Sequence, residues 1–163
     1  MQNGIQNQKS IQKKKKIKLN KMATRGIIRF AKREEGVSFN EHPENVEVQI
    51  YNHYDSYPEG LGLNLAKFMR DFRVVNGLGS DLPNKIANGM GCLVAQLIAN
   101  MKDGPGNVYV EKPHKGRDWI DYVYYIWVGD NKGIWLSIFD CDDNCIFVGE
   151  PYKLIEKYDK ERN

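Results

Sequence analysis

The last third of the chain is a succession of short strand-like segments, and no other feature constrains the fold as strongly. These segments are rich in β-branched and aromatic residues; they are Val108–Glu111, Trp119–Val128, Ile134–Phe139 and Cys145–Val148. Short turns at Gly129–Gly133 and Asp140–Asn144 separate the last three. Because tight turns join antiparallel neighbours, this region predicts a sheet in which much of the pairing is antiparallel.

The preceding region predicts two more strands and two helices. Thr24–Ala31 and Val46–His53 alternate apolar and polar residues as half-buried strands do, and the charged segment 32–45 between them is typical of a loop. A first helix carries Leu65, Phe68, Met69 and Phe72 on one face and is expected to end at Gly77 and Gly79. A second helix is expected to begin at Pro83, with the apolar stripe Ile86, Met90, Leu93, Val94, Leu97, Ile98 and Met101.

Pro151 opens a last short helix that carries Leu154, Ile155 and Tyr158. The resulting order of elements predicts one α+β domain over residues 22–163. It consists of an antiparallel or mixed sheet of about six strands, with two main helices on one face and a short C-terminal helix. The length of 163 residues suits a single domain.

The positive charge is concentrated in the first 21 residues. They hold seven lysines and no acidic residue, which leaves 17 basic and 21 acidic residues in 22–163, a net charge of −4. With few large apolar groups, residues 1–21 are predicted to be a disordered lysine-rich tail. Two interpretations stay open: Lys13–Lys18 form a phosphate-neutralising arm for nucleic acid, or Met22 is the true start and the tail is a translated leader.

The three cysteines are too few for a disulfide framework. The N-terminus lacks the apolar core of a secretory signal, and no stretch is long and apolar enough for a membrane-spanning helix. These observations predict a cytosolic protein that makes no membrane contact.

The segment 53–62 is the best candidate for a site. In an extended chain His53, Asp55 and Tyr57 lie on one side, a trio suited to acid–base chemistry or to metal ligation. Gly60 and Gly62 precede a helix N-terminus, where backbone N–H groups favour anions. The alternative is a structural turn, because a His-x-Asp pair can fix a turn by hydrogen bonds and Glu59 would repel a phosphate.

Residues 51–62 and the opening Ala23–Arg25 resemble a family of short phage and bacterial proteins. That family begins with a (Ser/Ala)-Thr-Arg strand and carries a Tyr-x-His-x-Asp-Gly-Tyr-Pro-x-x-x-Gly turn before a helix; this chain has Ser56 where glycine is usual. The resemblance covers mainly residues 23–72, and more weakly residues 120–122 and 149–151. It implies a viral or mobile-element origin, with the host cytoplasm as the location, and no particular reaction.

The aromatic strand Trp119–Val128 has two faces. One carries Ile120, Tyr122, Tyr124 and Ile126, and the other carries Trp119, Asp121, Val123, Tyr125 and Trp127. If helices cover one face, the other either shows its aromatics to solvent, where they can stack bases or contact a protein, or lies under the long loops or a second subunit.

Two apparent metal motifs fail. The turn Asp140–Cys145 begins like a calcium loop but has Cys145 where glycine is needed and Pro151 where glutamate is needed. Cys141 and Cys145 lack a second nearby pair for zinc, and Cys92 lies beside the apolar stripe as a core residue. No cofactor is expected.

Taken together, these features favour a small phage-encoded binding or interaction protein that takes a host protein or a small ligand. Its pocket is expected at the 53–62 turn, walled by strand aromatics that include Tyr122, with Arg25 as an anion contact. One alternative is a metal-assisted phosphoester hydrolase that uses His53, Asp55 and Glu59. The other is a nucleic-acid binder that acts through the tail, and a homo-oligomer is a further option.

Overall fold

Six strands form one mixed sheet, in the order β5-β2-β1-β6-β7-β8. Within the part of the chain that the structure describes, the strands are β1 (Gly26–Ala31), β2 (Val46–Asn52), β3 (Arg73–Val75), β4 (Ile86–Asn88), β5 (Val108–Glu111), β6 (Tyr122–Val128), β7 (Ile134–Asp140) and β8 (Cys145–Gly149). At the centre β1 and β6 are parallel, while the β1–β2, β2–β5, β6–β7 and β7–β8 pairs are antiparallel. The predicted α+β class and the six-stranded mixed sheet are confirmed.

The computed structural model describes residues 24–32, 36–77, 85–116, 118–128 and 133–159. The predictions for the tail 1–21 and for a start at Met22 lie outside the described residues, as do Gly79, Pro83 and most of the Gly129–Gly133 turn. No helix in the described ranges has the length and apolar character needed to cross a membrane.

Three α-helices accompany the sheet: α1 (Leu63–Met69), α2 (Gly89–Met101) and α3 (Pro151–Asp159). A π-helical turn, Pro58–Gly62, leads directly into α1. The C-terminal helix therefore begins at Pro151 as predicted. Both main helices are shorter than the sequence predicts. α1 ends before the short strand β3, and α2 begins only after the short strand β4.

The region between α1 and α2 corrects two helix boundaries. After Met69 the chain turns through Asp71 (φ 71°), so Phe72 lies beyond the helix and β3 follows. β3 pairs in parallel with β4, which contains Ile86, and α2 begins only at Gly89 (φ 79°). Strands of three residues carry too little alternation to be separated from a helical stripe in the sequence.

The three helices pack on one face of the sheet, which we call the inner face. The main core between them combines Ile28, Phe30, Ile50, Tyr124, Ile126, Leu136 and Ile138 of the sheet with Leu65, Met69, Leu93, Leu97, Leu154 and Tyr158 of the helices. Cys92 packs against this core.

The opposite, outer face has two halves. Over β6 and β7, the loop 36–45 buries Tyr125, Trp127 and Phe139; we call this the covered half. Phe39 of the loop stacks on Trp135, with ring centroids 4.7 Å apart, and its carbonyl accepts a hydrogen bond from Ser137. Over β2 and β5, Tyr51 and Tyr109 are partly exposed, and we call this the open half.

The covered half shows what lies over the second face of the aromatic strand. Val123, Tyr125 and Trp127 share a face as the alternation predicts, and the loop covers them. Trp119 is not in the strand at all: its φ is 69°, it is 83% exposed, and β6 begins three residues later.

Candidate functional site

A buried arginine lies at the boundary between the two halves of the outer face. Arg29 is in the central strand β1, directly opposite Gln49 of β2 and Tyr125 of β6. Its alternation with Ile28 and Phe30, which face the main core, sends its side chain to the outer side. Only 5% of Arg29 is exposed, which is unusual for a charged residue.

Neutral groups hold the guanidinium in place. Arg29 Nε donates to Gln49 Oε1 at 2.9 Å, Nη1 to the Tyr125 hydroxyl at 2.8 Å, and Nη2 to the carbonyl of His114 at 2.6 Å. A guanidinium has more N–H groups than these three partners use. The side chain is therefore fixed in position and still has donors to offer.

The positive charge of Arg29 has no counter-ion among the described residues: the ion pairs found there involve other side chains. Glu111 accepts a hydrogen bond from Gln49 Nε2 at 3.0 Å and contacts His114 Nε2 at 3.3 Å. Buried charges in proteins are normally paired because desolvation is costly. Arg29 thus presents an uncompensated cation, a feature that an anionic ligand would complete.

A polar chain continues from Arg29 to the loop. The Tyr125 oxygen accepts from Arg29 Nη1 and lies 2.8 Å from His42 Nδ1. His42 Nε2 lies 3.2 Å from Asp143 Oδ1. This carboxylate–imidazole–phenol–guanidinium chain ties the loop to the sheet.

Arg29 is one of the residues that line a pocket of about 540 Å³. The pocket combines cationic, imidazole, phenol and apolar groups with two acids; its lining is Arg29, His42, Pro43, Glu44, Val46, Pro113, His114, Lys115, Tyr125 and Asp143. The prolines, Val46 and the Tyr125 ring supply apolar wall. The arrangement suits a small organic anion, held by the guanidinium at one end and by apolar contacts at the other.

The 53–62 turn is held by its own hydrogen bonds. Asn52 Nδ2 donates to the carbonyl of Tyr54 and to Ser56 Oγ, and the Tyr124 hydroxyl donates to the carbonyl of Ser56 at 2.6 Å. Asp55 has φ 51°, and its carbonyl accepts from Leu61 N at 2.9 Å. Positive φ thus falls on Asp55, and the fully buried Ser56 fits where the family resemblance has glycine.

The members of the predicted trio, His53, Asp55 and Tyr57, each make contacts with other residues. His53 Nδ1 is 2.7 Å from the Tyr51 hydroxyl, and Tyr57 uses its carbonyl to accept from Gly60 N at 2.9 Å. A Cβ on Gly60 would lie 2.5 Å from the Asp55 carbonyl oxygen, so glycine there is a steric requirement of the turn.

The remaining predicted site residues make separate contacts. The backbone N of Arg25, before β1, donates to Asp121 Oδ2 at 2.8 Å. Gly62 is buried against the Tyr124 ring, and Glu59 is exposed. Burial, followed by the nearby charge of Glu59, raises the pKa of Tyr122.

A cleft of about 750 Å³ lies beside the turn. Its walls come from the turn, α1 and α2, not from the strand aromatics that the sequence analysis expects; they include Asn52, Tyr54, Asp55, Leu61, Asn64, Phe68, Leu97 and Asn100. The amides are neutral, and Lys67, at the same cleft, is paired with Asp159 at 3.1 Å. The cleft therefore combines neutral amides with the carboxylate of Asp55.

No group of three or more His, Cys, Asp or Glu side chains within the described ranges is placed to hold a metal ion. His53, Asp55 and Glu59, which the hydrolase alternative requires together, do not form such a group. All three cysteines are free thiols, and burial raises the pKa of Cys145.

Sequence reasoning passed over Arg29 because it occupies a strand position that alternation alone would give to solvent. The sequence could indicate this site only through the alignment of Arg29 and Gln49 with tyrosines on neighbouring strands. That alignment can be recognised only when the strand register is known. A comparison of the chain with family models, curated proteins and solved structures finds no match. The phage-family resemblance stays a prediction.

Proposed function

We propose that this chain is a binding protein for a small organic anion, which it holds in the pocket around Arg29. The observation that carries the proposal is the buried guanidinium, whose described partners are all neutral. A bound carboxylate would supply the missing negative charge and take up the unused N–H groups as a planar fork. The general role expected from the sequence, binding of a small ligand, is kept, and its site moves from the 53–62 turn to the outer face.

The other charges of the pocket narrow the ligand class. Lys115 adds a second cation, while Glu44 and Asp143 add negative charge. Asp143 is held by His42. Two carboxylates disfavour a multiply charged anion, so we expect a monocarboxylate with an apolar body to bind more tightly than inorganic phosphate.

The test is the thermal stability of the full chain with benzoate, acetate and inorganic phosphate at constant ionic strength. Benzoate at ten times its Kd should raise the Tm by about 3–6 °C, acetate should bind more weakly, and phosphate should bind weakest. Arg29→Met should abolish the benzoate shift. Arg29→Lys should retain only part of it, because a lysine ammonium lacks the fork.

Two further variants separate loss of binding from loss of folding. Arg70→Met removes an exposed arginine that is paired with Asp71 and lies outside the pocket, so it should keep the full benzoate shift. Lys115→Met changes an exposed lining residue and should weaken benzoate several-fold without unfolding the chain. Equal shifts for Arg29→Met, if folded, and Arg70→Met would refute the proposal, as would the absence of any shift with the parent chain.

A further inference from the structure

The cleft beside the 53–62 turn lies between one side of α1 and one side of α2. Each helix contributes lining residues at the spacing i, i+3 and i+4, which are Asn64, Lys67 and Phe68 on α1 and Leu97, Asn100 and Met101 on α2. Residues at this spacing share one side of a helix. The turn closes the cleft with Asp55, and Asn107, whose carbonyl accepts from His53 N at 2.9 Å, closes it beside β5.

Three side-chain amides of the cleft are available to a ligand. Asn64, Asn100 and Asn107 are exposed, and within the described ranges none of their side chains takes part in a hydrogen bond. Each amide has an oxygen that accepts and an NH2 group that donates. Ligand groups that both donate and accept, as hydroxyls do, therefore match these amides.

A fourth amide, that of Asn52, is buried and only partly satisfied. Asn52 is 3% exposed, and its Nδ2 donates to the carbonyl of Tyr54 and to Ser56 Oγ. Its Oδ1 accepts from no donor in the part of the chain that the structure describes. Buried polar atoms normally have a partner, and because Asn52 lines the cleft, a ligand hydroxyl that reaches Oδ1 would supply one.

The charges of the cleft argue against a charged ligand. Asp55 contributes a carboxylate with no ion-pair partner among the described side chains, so it repels an anion. An organic cation would bring a second positive charge beside the ammonium of Lys67, which Asp159 already pairs at 3.1 Å. The cleft therefore favours a neutral polar ligand.

Apolar surface accompanies the polar groups. Leu61 and Leu97 are buried, and Phe68 and Met101 are half-buried at the cleft. Its volume of about 750 Å³ is within the range of small-molecule sites, which combine apolar wall with a few polar groups that fix orientation. The ligand should therefore have an apolar side as well as hydroxyls.

We propose that the cleft is a binding site for a neutral sugar. A pyranose ring has two C–H faces and a rim of hydroxyls, each of which donates and accepts. The rim hydroxyls bond to the amides of Asn64 and Asn100, and one C–H face packs on Phe68. The cleft and the pocket around Arg29 have no lining residue in common, so this inference is independent of the anion site.

The experiment is a heteronuclear NMR titration of the full chain with D-glucose, D-galactose and N-acetyl-D-glucosamine. At ordinary affinity per heavy atom, we expect a Kd on the order of 1 mM for at least one of them, so each titration extends to about 20 mM. Backbone and side-chain signals of Asn64 and Asn100 should shift, and those of Arg29 and His114 should not. Cyclohexanol, a ring with a single hydroxyl, should bind at least about 10-fold more weakly because it leaves the amides unpaired.

Asn100→Ala removes one of the proposed hydrogen bonds. Asn100 is exposed on α2, so its loss should leave the fold intact and weaken the tightest-binding sugar about 2- to 10-fold. Asn76→Ala is the matched control, because Asn76 is also exposed and lies outside the lining of the cleft. It should leave the affinity unchanged.

Protonated D-glucosamine and D-glucuronate test the charge argument. Each places one charge on a hexose frame and should bind more weakly than the neutral sugars. Asp55→Asn keeps the shape of the side chain and suits the φ of 51° at this position. It should narrow the difference in affinity between glucose and glucuronate, because it removes the repelling carboxylate.

Four results would overturn the proposal. The first is the absence of shifts at the cleft with all three neutral sugars. The second is equal affinity for cyclohexanol and the tightest-binding sugar. The third is an equal effect of Asn100→Ala and Asn76→Ala. The fourth is tighter binding of either charged sugar than of the neutral ones, which would assign the cleft to an ionic ligand.

Discussion

The covered and open halves of the outer face have similar compositions and opposite environments. Each is rich in aromatic rings on neighbouring strands: Tyr125, Trp127 and Phe139 in the covered half, Tyr51 and Tyr109 in the open half. In the covered half the loop 36–45 removes the rings from water, and in the open half no described segment does the same. Aromatic strand residues alone therefore do not distinguish a core from an exposed surface; the segment that packs over them does.

The boundary between the two halves contains a buried charged side chain, that of Arg29. Arg29 and Gln49 are buried between the tyrosines of the two halves, and the loop reaches them through His42 and Tyr125. One loop thus completes a hydrophobic cluster at its Phe39 end and a polar pocket at its His42 end. We expect the two ends to respond differently to substitution.

The largest expected difference is between Trp127→Ala and Tyr109→Ala. Trp127 is fully buried and donates from Nε1 to Ser137 Oγ at 3.1 Å, so its removal should lower the free energy of unfolding by about 3–5 kcal/mol. Tyr109→Ala removes a half-exposed ring and should cost less than about 1 kcal/mol. Urea denaturation of both variants measures the difference; similar losses would mean that the open half is also packed in solution.

Phe39→Ala should expose part of the covered half to solvent. It removes the stack on Trp135 and the edge contact with Trp127, whose centroid is 5.4 Å from that of Phe39, at a cost of about 2–3 kcal/mol. Tryptophan emission should shift to longer wavelength as water reaches both indoles. The measurement is made in a Trp119→Phe background, because Trp119 is already exposed. An unshifted spectrum would contradict the covering role of the loop.

Gly60→Ala tests the turn whose Tyr54 and Asp55 line the cleft. The new methyl carbon would lie 2.5 Å from the Asp55 carbonyl oxygen, so the turn must move, and we expect a loss of about 1–2 kcal/mol. Gly91→Ala in α2 is the control, since no atom lies within 4 Å of its added carbon; it should be neutral or stabilise the chain by up to about 1 kcal/mol. Thermal unfolding distinguishes the two, and a stabilising Gly60→Ala would refute the steric argument.

Alkaline pH should produce the smallest and most selective effect. Burial raises the pKa of Tyr124 well above its ordinary value of 10.0 and raises that of the open-half Tyr51 as well. An unfolded tyrosine ionises near pH 10 while the buried one stays neutral, so stability is complete below that pH and falls as pH rises. Over the first pH unit above 10, the loss from Tyr124 should be about 1 kcal/mol.

Urea midpoints between about pH 8 and 11 measure this dependence. Tyr124→Phe should flatten most of the alkaline decline, and Tyr51→Phe should flatten less of it because Tyr51 retains access to water. An unchanged decline in Tyr124→Phe would assign the alkaline loss to other groups.

The sequence predicts the parts of the fold that depend on local patterns. Val108–Glu111 is a strand with the predicted bounds, and Pro151 begins the last helix as proline at a first turn does. β3 and β4 were missed because they are stabilised by each other and not by their own alternation.

The candidate site depends on contacts that are distant in the chain. Arg29 meets His114 and Tyr125, which are 85 and 96 residues away, and no local pattern brings these positions together. The spacing of His53, Asp55 and Tyr57, in contrast, is a local pattern. Their spacing predicts one side of an extended chain, but the strand ends at Asn52 and Asp55 adopts a positive φ, so the period of two no longer applies.

Because β1 pairs with β6, one edge of β1 stays unpaired during synthesis until β6 has been made. β1 leaves the ribosome early and can form its hairpin with β2 at once, yet its other edge is completed only by β6. At about 5–20 residues per second, the 96 residues between Arg29 and Tyr125 take roughly 5 to 20 s. Throughout that interval the future centre of the sheet is an unpaired edge, open to strands of other nascent chains. Newly made protein therefore exposes an edge of β1 that β6 covers in the finished domain.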